Sequence, residues 1–259
     1  MENAPGGPDA ADPSPAARRA RTAHADAWEQ QALVRRAAGG ATAHLPGIRV
    51  MTSGLDDARW NHGDVTDPGL VDVTAVSAWF ASRGVRWGVR VPAGTPWTHG
   101  RLLLRTRLMT LDAPDLRPVA PVPGLRVRAA GPQDLPTVLD VDAAAFGGAV
   151  AQEWIRPHLV SSEITTALAE LDGVPVATAY VVRSDGLAGP AAYLAGVGVR
   201  PEARRRGVAA AVSAWLLRDA FGRGCRFAHL HPDDDAAARV YARLGFTEVD
   251  GLDVYVDVA

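Results

Sequence analysis

The sequence predicts an α/β (α+β) protein in which helices flank β-sheet. Short apolar runs that alternate with period two, typical of half-buried strands, recur between stretches whose apolar residues repeat at helical spacing. The Asp172-Gly173 pair stands between two β-rich runs, which predicts a hairpin. With 259 residues, 47% of them hydrophobic, the chain can bury the core of one large or two ordinary domains.

The first part of the chain predicts two helices and three short strands. Residues 1–15 are rich in Pro, Ala, Gly and Asp and are expected to be disordered, and a helix over 16–38 would turn its arginines to solvent. Asp67 as N-cap and Pro68 at the first position start a second helix that ends before Gly84. The remaining segments are strands at 48–51, 86–91 and 102–111, a polar, turn-rich run at 54–67 and a proline-rich linker at 112–123.

The pattern restarts at Leu125. In order, we expect a strand at 125–129, a helix reaching 146, a less regular helix at 150–160, a hairpin of 165–171 and 174–183, a strand at 193–199, a helix at 210–221, a strand at 226–231, a helix at 232–244 and one or two strands at 247–258. This divides the chain into a tail (1–15), an N-terminal half with a leading helix (16–120) and a second domain (121–259).

Composition limits the classes of function. All 27 basic residues are arginines and the net charge is −2, which argues against general nucleic-acid binding because that requires a strongly basic face. The single cysteine, Cys225, cannot form an internal disulfide, and the seven histidines lack metal-ligand spacing. No apolar run approaches the length of a membrane span. We therefore expect a soluble, cytoplasmic protein with no metal, membrane or nucleic-acid partner.

Residues 204–209 predict a phosphate-binding turn. The turn lies between a strand-like and a helix-like run, so the unpaired N–H groups of the helix start would face it. Gly207 lets the backbone approach a ligand because it has no Cβ. Arg204, Arg205 and Arg206 add guanidinium groups that suit phosphate oxygens. Taken alone, these residues also fit a solvated arginine cluster beside an ordinary turn.

Two segments of the chain repeat each other. Residues 83–88, followed by Pro92, parallel residues 223–228, followed by Pro232, and each segment leads from a predicted helix into a predicted strand. The similarity favours two halves with one fold. The arginine-rich turn has no counterpart in the first half, so we expect the ligand site in the second half only.

A known family shares the pattern of the second half. The pattern consists of Val197-Gly198-Val199, then Arg204-Arg205-Arg206-Gly207-Val208-Ala209, then the run from Ala237 through Tyr241 to Leu244-Gly245-Phe246. Residues 125–259 with these motifs resemble the GNAT superfamily of acyl-CoA-dependent N-acyltransferases. The resemblance implies the GNAT fold, a mixed and mostly antiparallel sheet flanked by helices, with the first half as a degenerate copy.

The resemblance also implies a coenzyme A site. The N–H groups of residues 206–209, with the side chain of Arg204 or Arg205, would hold the pyrophosphate, and the strand at 193–199 would separate from the strand at 226–231 to admit the pantetheine arm. Gly196 and Gly198 fit a bulge or a close ligand. The implied contacts are Val197, Gly198, Val199, Arg204, Arg205, Arg206, Gly207, Val208, Ala209, Asp234, Ala237 and Tyr241. Asp234 stands where the family often has Asn, so its own contact to coenzyme A is an open question.

The chemistry implied is acyl transfer from a thioester to an amine. The resemblance makes Tyr241 the general acid that protonates the departing thiolate, a task that suits a phenol because it donates at neutral pH. Many members carry a basic carboxylate on the strand that corresponds to 193–199, where this chain has none. Glu163, His229 and His231 are candidates for the base, and a water relay or a neutral substrate amine are alternatives.

The function expected is acetyl-CoA-dependent acetylation of a primary amine on a small molecule, by direct attack and without a metal, in a monomer or homodimer. The first half would shape the acceptor pocket or a subunit interface, and the loops at 146–163 and 185–190 would supply residues of the acceptor pocket. Acetylation of a protein or peptide amine and a non-catalytic acyl-CoA-binding module are the alternatives. Transfer from aminoacyl-tRNA is disfavoured by the near-neutral charge.

Overall fold

The computed structural model describes residues 14–148 and 151–258, and its strands join in one sheet. In chain order the strands are β1 (Ala41–Leu45), β2 (Ile48–Thr52), β3 (Asn61–Val65), β4 (Gly88–Pro92), β5 (Arg101–Asp112), β6 (Leu125–Ala129), β7 (Ile164–Leu171), β8 (Val174–Gly186), β9 (Gly189–Val199), β10 (Phe227–Leu230) and β11 (Thr247–Val256). The helices are α1 (Pro15–Val34), α2 (Val73–Ala81), α3 (Leu135–Phe146), α4 (Gln152–Ile155), α5 (Val208–Gly222) and α6 (Asp235–Leu244).

The order of strands across the sheet is β1-β2-β3-β4-β11-β5-β10-β9-β8-β7-β6. Within the described residues, β3 with β4 and β9 with β10 are the parallel pairs, and the other neighbours run antiparallel. The predicted mixed, mostly antiparallel sheet with flanking helices is confirmed.

Each parallel pair is joined by a helix that crosses between its strands. Helix α2 lies between β3 and β4 in the chain, and α5 lies between β9 and β10. The two similar sequence segments, 83–88 and 223–228, both lead into the second strand of such a pair. The two halves therefore share this strand-helix-strand unit, which agrees with the repeat expected from the sequence.

The halves also exchange strands. The C-terminal strand β11 lies between β4 and β5, and β5 lies between β11 and β10. Each half thus places one strand against the other half, and the backbone ladder runs without a break across residues assigned to 16–120 and to 121–259. The division at residue 120 stays a prediction, since the sheet itself has no seam there.

Helix α1 packs across strands of both halves, including β2 and β8. Ser14 caps it, accepting a hydrogen bond from the N–H of Ala17, and its buried face carries alanines together with the polar residues His24, Asp26 and Gln31. Asp26 accepts a 2.6 Å hydrogen bond from buried Arg49 on β2. The expectation of a solvated arginine face is wrong for Arg35, which lies directly after α1 and is 2% exposed.

The polar segment at 54–67, expected to be turns, contains the buried strand β3. Two of its polar side chains have partners inside the protein: Asn61 accepts from Thr52 Oγ1 at 2.8 Å, and Asp64 accepts from Arg90 at 2.7 Å. A strand whose polar groups find partners in the core has no apolar alternation, so hydropathy does not reveal it.

Several element boundaries differ from the predictions. Asp67 and Pro68 open a 3-10 turn, and α2 begins at Val73, where the Asp72 carboxylate accepts from the N–H groups of Thr74 and Ala75. The segment at 150–160 is a short helix, α4, followed by a 3-10 turn at Arg156–Leu159. Strand β1 was not predicted. Residues 1–13 of the tail lie outside the described residues, and Pro15 is already helical.

The hairpin prediction at Asp172-Gly173 is confirmed. Both residues have positive φ, 52° and 82°, as a tight turn between β7 and β8 requires. The hairpin is longer than predicted, because β8 continues to Gly186 and turns into β9 at Gly189. In the described part of the chain, no helix combines the length and apolar character needed to cross a membrane.

Candidate active site

The site begins where β9 and β10 part. β9 and β10 pair from Ala191 with Phe227 to Tyr193 with His229, after which β9 continues to Val199 paired with β8 but not with β10. A bulge interrupts β9 at this point, because Thr178 of β8 pairs with Gly198 while Tyr180 pairs with Ala195. The end of the pairing leaves a gap beside β9, as expected for the cleft that admits a pantetheine arm.

The two glycines in β9 have different roles. Gly196 has a φ of +60°, and a Cβ there would lie 2.7 Å from the Tyr180 ring, so the bulge requires glycine. A Cβ on Gly198 would lie 2.8 Å from the Phe146 ring and 2.9 Å from Ala145 Cβ. The structure therefore explains Gly198 by close packing on α3.

The turn at 204–207 presents unpaired backbone donors. Gly207, with a φ of 84°, is the N-cap of α5, and Arg205 has a φ of 59°. Within the described residues, the N–H groups of Gly207, Val208 and Ala209 donate no hydrogen bond. The turn borders a cavity of about 470 Å³ that α6 closes with Arg239, Val240 and Arg243. Free N–H groups at the positive end of a helix, with arginines around them, fit an anionic group such as pyrophosphate.

The three arginines of the turn are not equivalent. The Arg204 guanidinium donates to the carbonyl oxygens of Val199 at 3.0 Å and Ala145 at 2.8 Å, so it ties the turn to β9 and α3. Arg205 lines the cavity, and Arg205 and Arg206 make no hydrogen bond or ion pair with any described residue. Arg204 and Arg205 are the two side chains predicted to contact pyrophosphate. Of the two, Arg205 is the one whose guanidinium has no partner among the described residues and can bind a ligand.

Helix α6 carries Tyr241 to the gap beside β9. Asp234 is its N-cap, and the Asp234 carboxylate accepts from the N–H of Ala237 at 2.7 Å, so Ala237 is engaged inside the helix start. Val240 borders the cavity of the turn, whereas the adjacent Tyr241 lines a second cavity of about 510 Å³. The two cavities therefore flank the same turn of α6.

The second cavity brings Tyr241 together with Val197, Tyr193 and His231. Burial, and secondarily the negative charge of Asp233, raise the pKa of the Tyr241 phenol above its ordinary value. The phenol stays protonated at neutral pH and can donate a proton. Val199, by contrast, borders the cavity of the turn, so β9 contributes residues to both cavities.

The three base candidates differ in their access to the cavity of Tyr241. His231 lines the cavity with Tyr241, and burial lowers the pKa of its imidazole, so the ring is neutral and can accept a proton. His229 is fully buried, stacked 5.1 Å from Tyr193, and burial lowers its pKa to about 3. Glu163 borders a different cavity with Arg183 and Cys225. The structure thus brings His231, rather than Glu163 or His229, to Tyr241.

Sequence reasoning missed Asp142, an acidic residue on α3 that lines the same cavity as Tyr241. Its carboxylate forms no hydrogen bond or ion pair with any described residue, and burial raises its pKa to about 6. One signal was available: Asp142 is four residues after the buried Val138, so both lie on the same face of the predicted helix.

Aromatic residues from both halves line the same cavity as Tyr241. Trp60, which directly precedes β3, stacks on Trp154 of α4 with ring centroids 4.7 Å apart and planes 6° apart. Trp28 of α1 lies 5.9 Å from Trp154. The Arg35 guanidinium contacts Trp154 in two ways. It donates a 2.5 Å hydrogen bond to the Trp154 carbonyl oxygen, and its Cζ lies 3.8 Å from the centroid of the Trp154 ring. In the described residues, no group of three or more His, Cys, Asp or Glu is arranged to bind a metal ion.

Comparisons with known proteins agree with this geometry. Residues 137–246 match the model of the acetyltransferase (GNAT) family. A search of curated proteins found no match.

Among solved structures, the chain is similar to a GCN5-related N-acetyltransferase from Kribbella flavida, with 22% identity and a TM-score of 0.69 over 94% of this chain and 96% of that one. It is also similar to a functionally unknown conserved protein from Staphylococcus epidermidis, with 16% identity and a TM-score of 0.60 over 84% and 93% of the two chains. A third similarity is to a putative acetyltransferase of the GNAT family from Novosphingobium aromaticivorans, with 22% identity and a TM-score of 0.56 over 83% and 89%. At these identities the solved structures establish a shared fold over most of the chain.

Proposed function

We propose that the chain, whose residues 137–246 match the acetyltransferase (GNAT) family, is an acyl-CoA-dependent N-acyltransferase that acetylates a primary amine of a small molecule with acetyl-CoA. The observation that carries the proposal is the placement of Tyr241 beside the gap where β9 and β10 part, one residue from the wall of the phosphate-binding cavity.

The donor would bind along the turn and the gap. The pyrophosphate would accept hydrogen bonds from the N–H groups of Gly207, Val208 and Ala209 and from Arg205, since these donors have no partner within the described residues. The gap beside Gly196 and Val197 is open to the pantetheine arm because β10 does not pair there. Val197 and Val199 supply apolar contacts, and Arg204 holds the turn in place.

The reaction needs one proton removed and one supplied. The amine loses a proton, its nitrogen attacks the thioester carbonyl carbon, the carbon–sulfur bond breaks, and the thiolate takes a proton. Tyr241 donates that last proton, because burial keeps its phenol protonated. Neutral His231 is placed to accept the amine proton directly or through water. Of the other candidates, Glu163 borders a different cavity, and His229 is fully buried and is not part of the lining that contains Tyr241.

The acceptor would bind in the cavity of about 510 Å³, whose wall both halves build. Trp28 and Trp60 come from the first half, while Asp142 and Trp154 come from the second. A walled cavity of this size suits a small molecule. The predicted role of the first half in shaping the acceptor pocket is thereby supported.

The test combines thiol release and coenzyme A binding. The full chain should release coenzyme A from acetyl-CoA when given a primary amine. Gly207→Ala should weaken coenzyme A binding, because φ is +84° and a Cβ would lie 3.3 Å from Val122 Cγ2. Gly222→Ala, on the last residue of the same helix, is the matched control, since no atom lies within 4 Å of its added Cβ.

The results separate the proposal from its alternatives. Coenzyme A binding without thiol release for any amine or peptide would indicate an acyl-CoA-binding module. Release with peptides alone would indicate a protein acetyltransferase. Equal coenzyme A affinity for Gly207→Ala and Gly222→Ala would contradict the proposed site for the pyrophosphate.

A further inference from the structure

We propose that the acceptor is a monoamine with a flat apolar body, whose amino group binds Asp142 and whose body packs on the tryptophan wall of Trp28, Trp60 and Trp154. This inference rests on the proposed acetyl transfer and specifies its acceptor class. It also assigns Asp142 as an acceptor-binding residue.

Asp142 differs from the other buried or half-buried carboxylates near it. Asp26 pairs with Arg49 at 2.6 Å, Asp64 with Arg90 at 2.7 Å, and Asp57 with Arg59 at 2.6 Å. Asp142 has no such partner among the described residues, although it is half-buried and lines the cavity. A half-buried carboxylate without a partner is costly, and a cation delivered by a ligand removes that cost.

The charge on Asp142 favours a cationic group at neutral pH. Burial raises the pKa of its carboxyl only to about 6, so the group is mostly ionised at pH 7. An alkylammonium is both a hydrogen-bond donor and an opposite charge. The neighbouring His231 is neutral, because burial lowers its pKa, and does not compete for the carboxylate as a cation.

The apolar side of the cavity favours a flat body. Four aromatic residues line the cavity: Trp28, Trp60, Phe146 and Trp154. Trp28 and Trp154 are buried, Trp60 is partly exposed, and Phe146 is 50% exposed. Aromatic faces attract flat apolar groups and, at closer range, cations. The wall is rigid, because Trp60 and Trp154 stack and Arg35 holds Trp154.

The charges at the rim disfavour a polycation. The Arg59 guanidinium lines the same cavity and already pairs with Asp57 at 2.6 Å, so the Asp57 carboxylate is not free for a second ammonium group. The other carboxylate in the lining, Asp233, is exposed, and water and salt weaken its attraction. The one half-buried carboxylate of this lining without a partner among the described residues therefore fits one ammonium group.

The test compares three amines in the thiol-release assay with the full chain: 2-phenylethylamine, ethanolamine and spermidine. We expect kcat/KM for 2-phenylethylamine to exceed that for ethanolamine by at least about tenfold, since a phenyl group contributes more than two buried CH₂ groups. Spermidine should be no better than ethanolamine. A preference for ethanolamine or spermidine would overturn the inference while leaving acetyl transfer intact.

Variants of α3 test the role of Asp142. Asp142→Asn should raise KM for 2-phenylethylamine by roughly tenfold or more, the loss expected for a charge-assisted hydrogen bond, and leave KM for acetyl-CoA unchanged. Asp142→Glu should restore part of the loss. Asp140→Asn is the matched control, because Asp140 is exposed and pairs with Arg200 instead. An unchanged amine KM in Asp142→Asn would overturn the assignment.

A binding measurement separates the two proposals. Titration with 2-phenylethylamine should quench tryptophan fluorescence in the wild type and in Asp140→Asn, and less in Asp142→Asn. If this pattern appears without thiol release from any amine, the acceptor site stands and the proposed transfer is wrong. If neither quenching nor release occurs, both are wrong.

Discussion

Replacement of Asp142 by asparagine should make the protein more stable near pH 8, by about 1–2 kcal/mol. Burial raises the pKa of the Asp142 carboxyl from 3.8 to about 6, with no hydrogen bond or ion pair from the described residues to offset it. At 1.36 kcal/mol per pKa unit, the shift corresponds to roughly 3 kcal/mol. Because the carboxylate faces an open cavity, screening by water reduces this to about 1–2 kcal/mol.

The gain should depend on pH in a defined direction. Above pH 6 the carboxylate is charged in both the folded and the unfolded chain, and the folded state bears the full cost of burying the charge. Between pH 6 and pH 3.8 the folded protein binds a proton that the unfolded chain does not, so the cost falls as the pH falls. The stability difference between Asp142→Asn and wild type should therefore vanish near pH 4.

Urea unfolding followed by tryptophan fluorescence at about pH 8 and about pH 4 measures this difference. Asp140→Asn should show no such gain, since Asp140 is exposed and pairs with Arg200. If Asp142→Asn is equally or less stable than wild type near pH 8, the carboxylate has a partner in the folded protein. The reasoning that reserves Asp142 for a ligand would then be refuted.

Three further substitutions test the donor side and the bulge. Tyr241→Phe should lower kcat by roughly 10²–10⁴-fold, the usual range for a general acid. Its affinity for coenzyme A should be unchanged in a binding titration, and an unchanged kcat would exclude Tyr241 as the general acid. Arg205→Ala should raise KM for acetyl-CoA by roughly tenfold and weaken its salt dependence, and an unaltered salt profile would count against a phosphate contact. Gly196→Ala should lower the free energy of unfolding by about 2–4 kcal/mol, because φ is +60° and the Cβ would lie 2.7 Å from the Tyr180 ring. If Gly196→Ala lowers the free energy of unfolding less than Gly222→Ala does, the bulge does not require glycine.

Features that depend on neighbouring residues could be predicted from the sequence. The Asp172-Gly173 turn and the helix that follows Gly207 both occur where the sequence indicated them. A turn type or a helix cap is decided by the φ preferences and hydrogen bonds of four or five consecutive residues. The same locality explains why the turn at 204–209 could be proposed as the donor-binding turn before any tertiary contact was known.

Features that depend on distant partners could not be predicted. Strand β3 is polar in sequence and buried in the structure, because Thr52 and Arg90 satisfy Asn61 and Asp64. The insertion of β11 between β4 and β5 follows from pairing across more than a hundred residues, which no local pattern specifies. The leading helix has the composition of a solvated helix, yet both halves of the sheet bury it.

The sequence by itself indicated the family and the proposed donor-binding end of the cleft, because the turn at 204–209, the glycines of β9 and Tyr241 lie within fifty residues and keep a characteristic spacing. Only the tertiary structure decided the proposed acceptor end. Its wall joins Trp28, Trp60, Asp142 and Trp154, which have no common motif and meet because α1 and the strand exchange bring the two halves into one sheet. The free carboxylate of Asp142 is likewise a property of the fold, since only the packed neighbours reveal that it has no partner.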